Sequence, residues 1–227
     1  MGTRFGEHTK LMPKGFIPFH GKAMVVRSIE TLLACGMQRI IIGTGYHSEY
    51  YEALQTQYPQ VECCFSPRYA ETNSMFTLWN CRTRIVDDDF LLLESDLVYE
   101  QRAIRSLLEC PHESTMLITP VTKFQDQYYV EMDTNHKLTN CSTNPTELEY
   151  SGELVGIHKI TNDFYQIMCR EYHKIVNQQP KLGYEYALLY ISQHLHPMSV
   201  LCAEGLQWYE IDDERDLQFA EENIKLG

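Results

Sequence analysis

Two acidic residues have the clearest potential for chemistry. Asp96 ends the apolar run "LLLESD", and Asp212 follows Glu210 in the extended segment "WYEID". In open α/β sheets ligands bind just beyond the carboxyl ends of strands, where a carboxylate can hold a hard cation such as Mg²⁺. A turn or a helix cap is the alternative role for Asp96, and Glu94 is expected on the opposite face of its strand. The other acids of "DDERD" fit a helix N-terminus.

Basic residues near the start of the chain could bind an anion. The segment "MGTRFGEHTKLMPKG" contains Gly2, Thr3 and Arg4, followed ten residues later by Lys14. Glycine lets backbone N–H groups approach phosphate oxygens, and arginine and lysine supply positive charge. This combination suits a triphosphate. A chain terminus with solvated charges is the alternative.

A polar cluster opens the helix-like segment "NSMFTLW". Thr72, Asn73 and Ser74 carry donors and acceptors that suit the edge of a base or the hydroxyls of a ribose. Residues of these types also cap helices, and the two roles are compatible. We therefore expect the cluster to contact a nucleotide.

Aromatic and acidic residues in the second half of the chain suit a cationic amine. Glu153 and Glu185 are the acidic members of this group. The aromatic members are Tyr128, Tyr129, Tyr184, Tyr186 and Trp208. Aromatic faces beside carboxylates attract ammonium groups. With 15 tyrosines in the chain, ordinary packing is the alternative for each of them.

The elements that must position these residues alternate between helix and strand up to about residue 115. "GKAMVVRSIETLLACGMQ", "SEYYEALQTQYP" and "NSMFTLWNCRTRI" are helix-like, whereas "RIIIG", "VECCF" and "FLLLE" are typical of buried strands. The alternation predicts an α/β fold with a doubly wound, mostly parallel sheet. From about residue 115 to 160, four strand-like segments split by turns predict an inserted antiparallel β lobe. Helices then return, so we expect one domain over residues 1–227.

Composition excludes several classes of protein. The formal net charge of -12 opposes binding to a nucleic acid, and no apolar run approaches the length of a membrane span. The eight cysteines form no CxxC pair, so zinc is not expected. We expect a cytoplasmic protein with small-molecule substrates and no membrane contact. The sequence leaves the oligomeric state open, a homo-oligomer included.

The order of the motifs resembles one family. "GTRFG", "PKGFIPFHGKAM", "ETNSMFTLWN", "LLLESDLVYE" and "WYEIDDERDL" follow one another as in nucleotidyltransferases of the sugar-phosphate and phosphocholine cytidylyltransferase type. Within that group the chain looks most like the 2-aminoethylphosphonate cytidylyltransferases. The resemblance implies a Rossmann-like nucleotide domain and transfer of CMP from CTP to a phosphonate or phosphate acceptor, with release of pyrophosphate.

The resemblance also implies roles for individual residues. Arg4 would contact the triphosphate, Lys14 would stabilise the α-phosphate, and Asp96 and Asp212 would bind Mg²⁺. The positions implied to contact the nucleotide are Gly2, Thr3, Lys22, Asn73 and Ser74. Glu153, Glu185 and Trp208 are the acceptor candidates, because their types suit an amine-bearing phosphonate.

Two alternatives to this function stay open. A phosphocholine or sugar-1-phosphate enzyme would use the same motifs on another acceptor. A non-catalytic nucleotide-binding module would keep the fold without turnover. Relatives begin with an apolar strand and a glycine-rich turn ahead of "GTR", so we expect residues upstream of Met1 to supply that strand.

Overall fold

The computed structural model describes residues 12–122 and 127–226, so Gly2, Thr3 and Arg4 lie outside the described residues. By its internal contacts the chain divides into two compact units. Unit 1 contains Met1–Ala70, Glu94–Arg105 and Leu206–Gly227, and unit 2 contains Glu71–Leu93 and Ser106–Gly205.

The described helices have lengths typical of an α/β protein. They are α1 (Met24–Ala34), α2 (Ser48–Gln57), α3 (Ser74–Asn80), α4 (Arg102–Glu109), α5 (Asn162–Ile175), α6 (Tyr184–His194) and α7 (Glu214–Asn223). A short 3₁₀ turn covers Lys14–Phe16. None of the described helices is long and apolar enough to cross a membrane.

The described strands are between two and nine residues long. In chain order they are β1 (Pro18–Phe19), β2 (Lys22–Ala23), β3 (Ile40–Thr44), β4 (Val61–Phe65), β5 (Phe90–Leu93), β6 (Leu97–Tyr99), β7 (Thr115–Thr119), β8 (Tyr129–Met132), β9 (Leu138–Ser142), β10 (Gly152–Ile160), β11 (Ser199–Cys202) and β12 (Trp208–Glu210).

Unit 1 contains a β-α-β crossover and a separate strand pair. Strands β3 and β4 run parallel and are joined by α2, as parallel neighbours require. Helix α1 buries Met24, Val25 and Ile29 at helical spacing. Strand β12 pairs antiparallel with β6, so that Glu210 lies opposite Leu97. This pairing holds the end of the chain against the segment that follows β5.

Unit 2 is built on a six-stranded sheet in the part of the chain that the structure describes. Its order is β11-β7-β10-β8-β9, and β5 also pairs with β10. The β11–β7 pair is parallel, whereas β10 runs antiparallel to β5, β7 and β8. The predicted α/β class is confirmed, with a mixed sheet. The strands assigned to an inserted lobe join this sheet, because β7 and β10 pair with β11 and β5.

Two elements were missed by the sequence analysis. Helix α4 buries Ala103, Ile104 and Leu107, a spacing typical of one helical face. Strand β5 ends at Leu93 and β6 begins at Leu97 after three intervening residues, so "FLLLESDLVY" contains two strands and a bend. The predicted single strand ending in Asp96 was therefore too long.

The buried His158 on β10 predicts sensitivity to acid. Burial lowers the pKa of its ring from 6.5 to about 3, and its Nε2 lies 3.3 Å from the hydroxyl of Tyr184. Between these two pKa values the unfolded chain binds a proton that the folded chain excludes, so stability falls as the pH drops. We expect His158 to lower the free energy of unfolding by about 2 kcal/mol between roughly pH 7.5 and pH 5.

Urea unfolding at these two pH values measures the effect. The His158→Gln variant should lose less stability on acidification than the wild type, whereas the exposed His112→Gln control should behave like the wild type. Equal losses in the wild type and His158→Gln would show that another group causes the acid sensitivity.

Candidate functional site

The structure brings Lys14, Asp96 and Asp212 together in unit 1. Lys14 opens the 3₁₀ turn after Pro13, Asp96 lies between β5 and β6, and Asp212 follows β12. The backbone N–H of Ile211 donates to the carbonyl of Asp96 at 3.0 Å, which extends the β6–β12 pairing by one bond. The two aspartates therefore meet because their strands are hydrogen-bonded neighbours.

Lys14 bridges the two carboxylates. Its Nζ donates to Oδ2 of Asp96 at 2.6 Å and to Oδ1 of Asp212 at 2.5 Å. The side chains of Lys14, Asp96 and Asp212 are only 13%, 18% and 19% exposed, so solvent screens these ion pairs little. The two pairs connect segments 82 and 198 residues apart in the chain.

The charges of the aspartates keep Lys14 protonated. Burial of the ammonium by itself lowers the pKa of Lys14, but the charge of Asp96 and the hydrogen bonds to both carboxylates outweigh it. The net result is a pKa above the ordinary lysine value of 10.5. Lys14 is thus a permanent positive charge at neutral pH.

A group of carboxylates beside this pair fits a divalent cation. Oxygen atoms of Glu94, Asp96 and Glu210 lie within 4.8 Å of one another. The expectation that Glu94 faces away from Asp96 is therefore wrong, because β5 ends at Leu93 and the chain bends there. Carboxylate oxygens are the donors that Mg²⁺ prefers, so the donor chemistry of Asp96, Asp212 and these neighbours suits that ion.

Tyr51 on α2 contacts the residues next to Asp96 and Lys14, and the sequence analysis did not find it. Its hydroxyl hydrogen-bonds with the side chain of Ser95 and the backbone of Gly15, the residues adjacent to Asp96 and Lys14. Burial raises the pKa of this hydroxyl to about 12, with a smaller contribution from the charge of Asp96. The apolar pattern of α2 indicates that Tyr51 is buried, but nothing in that pattern reveals the contact of its hydroxyl.

Gly15 is required by close packing at this place. A Cβ on Gly15 would lie 3.1 Å from both the Ser95 carbonyl and the Tyr51 hydroxyl. Both distances are shorter than an ordinary carbon–oxygen contact. The glycine therefore lets the Lys14 turn approach the end of β5.

The acidic segment after Asp212 has the structural role that its sequence predicts. Asp213 caps α7 by accepting from the N–H groups of Arg215 at 2.8 Å and Asp216 at 3.0 Å. Glu214 and Asp216 lie in the first turn of that helix, where negative charge is favourable. Asp216 also accepts from the N–H of Asp212 at 2.9 Å, which fixes the backbone of the metal candidate.

An open cleft of about 590 Å³ lies in unit 2. Its lining residues are Asn73, Tyr128, Gln178, Gln179, Pro180, Lys181, Leu182, Gly183 and Tyr186. The rings of Tyr128 and Tyr186 meet edge to face at 5.7 Å. Asn73 caps α3 by accepting from the N–H of Ser74 at 2.8 Å, and Thr72 precedes it directly. The predicted capping role is therefore confirmed for Asn73, and the nucleotide role of the cluster stays a prediction.

Glu185 is buried beside this cleft. It is 7% exposed, and no partner for its Oε2 is found among the described residues. A Cβ on Gly183 would lie 2.3 Å from that oxygen and 3.7 Å from the Tyr128 hydroxyl. Burial raises the pKa of Glu185 to about 7. Burial, followed by the charge of Glu185, raises the pKa of the Cys141 thiol to about 12. Among the described residues Oε2 has no hydrogen-bond partner, and burial disfavours the ionised form of the carboxyl.

Three predicted site residues lie apart from these two groups. Lys22 pairs with Glu30 at 2.6 Å, and both side chains are well exposed. Glu153 is fully buried on β10 and accepts from the hydroxyl of Thr122 at 2.5 Å. Trp208 is 5% exposed on β12 and does not line the cleft. Their roles in nucleotide or acceptor binding stay predictions.

Comparison with protein families gives one match over most of the chain. The model of the MobA-like NTP transferase domain matches residues 1–201. Among solved structures, CTP:phosphocholine cytidylyltransferase from Streptococcus pneumoniae has a TM-score of 0.83 at 20% identity, covering 97% of this chain and 93% of that one. At this level of identity the likeness concerns the fold, and it confirms the Rossmann-like nucleotidyltransferase architecture.

Curated relatives include enzymes that use aminoalkyl phosphonates. A 2-aminoethylphosphonate cytidylyltransferase of Lancefieldella rimae is 29% identical over 104 residues, which cover 46% of this chain and 42% of that protein. A CMP-5'-(3-aminopropyl)phosphonate synthase of Streptomyces rubellomurinus is 23% identical over 235 residues, covering 97% and 37%. The chain thus spans less than half the length of both relatives.

The raised pKa of the buried Glu185 carboxyl predicts a loss of stability at alkaline pH. Its pKa is about 7 in the folded chain against 4.5 for an exposed glutamate, so the folded state binds the extra proton between these values. Stability contributed by this proton is therefore complete below about pH 4.5 and is lost as the pH rises through 7. Glu185→Gln should stabilise the protein by up to about 3 kcal/mol near pH 8 and by much less near pH 5.

Thermal or urea unfolding of Glu185→Gln at the two pH values measures this difference. Glu109→Gln on the exposed face of α4 is the matched control and should change stability little at either pH. A Glu185→Gln variant with the same pH dependence as the wild type would contradict the assignment.

Proposed function

Because the chain belongs to the MobA-like NTP transferase family, we propose that it is a cytidylyltransferase acting on CTP and a small amine-bearing phosphonate. The preferred acceptor in this proposal is 2-aminoethylphosphonate, and the products are the CMP-phosphonate and pyrophosphate. The observation that carries the proposal is the convergence of Lys14, Asp96 and Asp212 in unit 1. Transfer of CMP from a triphosphate requires groups that neutralise phosphate charge, and a lysine beside two potential metal ligands meets that requirement.

The reaction breaks the bond between the α-phosphorus of CTP and the bridging oxygen of the leaving pyrophosphate. An acceptor oxygen forms the new bond to that phosphorus. In the proposal Lys14 neutralises charge on the α-phosphate, while Asp96 and Asp212 hold Mg²⁺. Magnesium would supply charge neutralisation at the pyrophosphate. Arg4, which lies outside the described residues, is proposed to contact the triphosphate.

A general base is not needed for this chemistry. A phosphonate is ionised at neutral pH, so its oxygen is already a nucleophile. Catalysis then consists of positioning the two substrates and neutralising charge. The site consists of the ammonium of Lys14 and the neighbouring carboxylates, and these groups suit the neutralisation of charge.

Within unit 2, the tyrosines of the cleft and the buried Glu185 are the proposed candidates for contact with an amine. Tyr128 and Tyr186 offer aromatic faces, and Glu185 offers a buried carboxyl. An ammonium group bound there would favour the carboxylate form of Glu185 and lower its raised pKa. Both curated relatives are named for aminoalkyl phosphonates, which supports the same class of acceptor.

Release of pyrophosphate with CTP and a panel of acceptors tests the function. The panel contains 2-aminoethylphosphonate, phosphocholine, phosphoethanolamine and glucose 1-phosphate. The proposal predicts the highest kcat/KM with 2-aminoethylphosphonate and, because the cleft is suited to an amine, the lowest with the sugar. Preference for phosphocholine would select the alternative acceptor. Nucleotide binding without turnover on any acceptor would favour a non-catalytic module.

Replacement of either carboxylate that contacts Lys14 tests the assignment of Asp96 and Asp212 as metal ligands. Asp96→Asn and Asp212→Asn should each lower kcat by roughly 100-fold or more, because each removes a charged ligand of the metal. The exposed Asp87→Asn is the control and should retain wild-type turnover. Circular dichroism of each variant shows whether the fold is kept, and undiminished turnover in a folded Asp96→Asn variant would refute the role of Asp96.

A further inference from the structure

The ammonium of Lys14 lies between Asp96 and Asp212, two of the proposed metal ligands. A metal ion bound by both carboxylates would lie in the same place. The Nζ of Lys14 contacts one oxygen of Asp96 and one oxygen of Asp212, and all three side chains are largely buried. Two negative charges in such a place are costly without a positive partner. Lys14 supplies that partner within the chain itself.

We propose that Lys14 is an internal counter-ion that competes with a divalent cation for Asp96 and Asp212. In this arrangement Lys14 holds the two carboxylates when no nucleotide is bound, and it gives them up when a metal-bound nucleotide offers its phosphates instead. This inference rests on the proposed function, since it assigns a resting partner to the same carboxylates.

Charge prevents both partners from being held tightly at once. A divalent cation ligated by Asp96 and Asp212 would lie within a few ångströms of the Lys14 ammonium, and like charges at that separation repel strongly in a site shielded from solvent. The Nζ of Lys14 lies 2.6 Å from Oδ2 of Asp96 and 2.5 Å from Oδ1 of Asp212, so a metal ion that ligates these oxygens has to displace it.

The structure allows the side chain to move while the backbone stays fixed. The turn that carries Lys14 is closed by the N–H of Phe16 on the Pro13 carbonyl at 2.9 Å and that of Ile17 on the Lys14 carbonyl at 3.0 Å. Gly15 is held against Ser95 and the Tyr51 hydroxyl. The four-carbon stem of lysine is flexible, so Nζ can change partners without a change in the fold.

One consequence is coupling between metal and nucleotide. Metal alone displaces Lys14 from both carboxylates without offering its ammonium an anion in exchange, whereas metal with CTP provides phosphate oxygens for the same ammonium. Each ligand then strengthens the binding of the other by the same factor. The exchange thus delays occupation of the carboxylates until the substrate is present.

Binding of Mn²⁺ in the absence of any nucleotide tests the exchange. Electron paramagnetic resonance measures free Mn²⁺ during titration of the wild type, Lys14→Met and Lys14→Gln. Both variants should bind Mn²⁺ about ten-fold or more tightly than the wild type, because the competing charge is gone. Lys174→Met removes an exposed ion pair with Glu171 and is the matched control, with wild-type affinity expected.

Thermal unfolding keeps the test decisive if the variants are unstable. Without Lys14 the carboxylates repel one another, so Mn²⁺ should raise the Tm of Lys14→Met by more than it raises that of the wild type. Affinities and Tm shifts equal to or smaller than those of the wild type in both Lys14 variants would overturn the proposal.

The outcome can be separated from the outcome for the proposed function. The titration contains neither CTP nor an acceptor, so it reports on the exchange whether or not the protein turns over. Equal Mn²⁺ affinities would refute the exchange and leave turnover intact. Absence of turnover in the acceptor panel would refute cytidylyl transfer and leave tighter Mn²⁺ binding by the variants unaffected.

Discussion

The contact of one ammonium with two carboxylates is the constraint on which unit 1 depends. Lys14, Asp96 and Asp212 come from the beginning, middle and end of the chain, and each is held by its own local structure. A 3₁₀ turn fixes the lysine, and the β6–β12 ladder fixes the aspartates. Without the positive charge this ladder would bring two largely buried carboxylates close together, at a cost in free energy.

The two polar sites of the protein are built on opposite electrostatic principles. In unit 1 the ammonium of Lys14 offsets part of the negative charge of the two aspartates, and this ammonium has to exchange partners when a ligand binds. In unit 2 burial raises the pKa of Glu185, and its Oε2 has no partner among the described residues. Such a carboxyl gains most from a positively charged ligand.

Much of this organisation could be predicted from residue type and order, but its contacts could not. Asp96 and Asp212 follow strands in recognisable motifs, so their meeting was foreseeable. Periodicity does not reveal the bend after Leu93, which turns Glu94 towards Asp96, nor the burial that separates Glu185 from exposed glutamates. The role of the Tyr51 hydroxyl depends on Gly15 and Ser95, which are distant from it in the chain, and sequence alone does not indicate such long-range contacts.

A crystal structure with Mn²⁺ and CTP bound tests the central claim most directly, because Mn²⁺ scatters X-rays anomalously and its position can be assigned. The account predicts an anomalous peak ligated by Asp96 and Asp212, with the Nζ of Lys14 moved from these carboxylates to a phosphate oxygen of the nucleotide. A peak at another place, or a Lys14 that keeps both ion pairs beside the bound nucleotide, would contradict it.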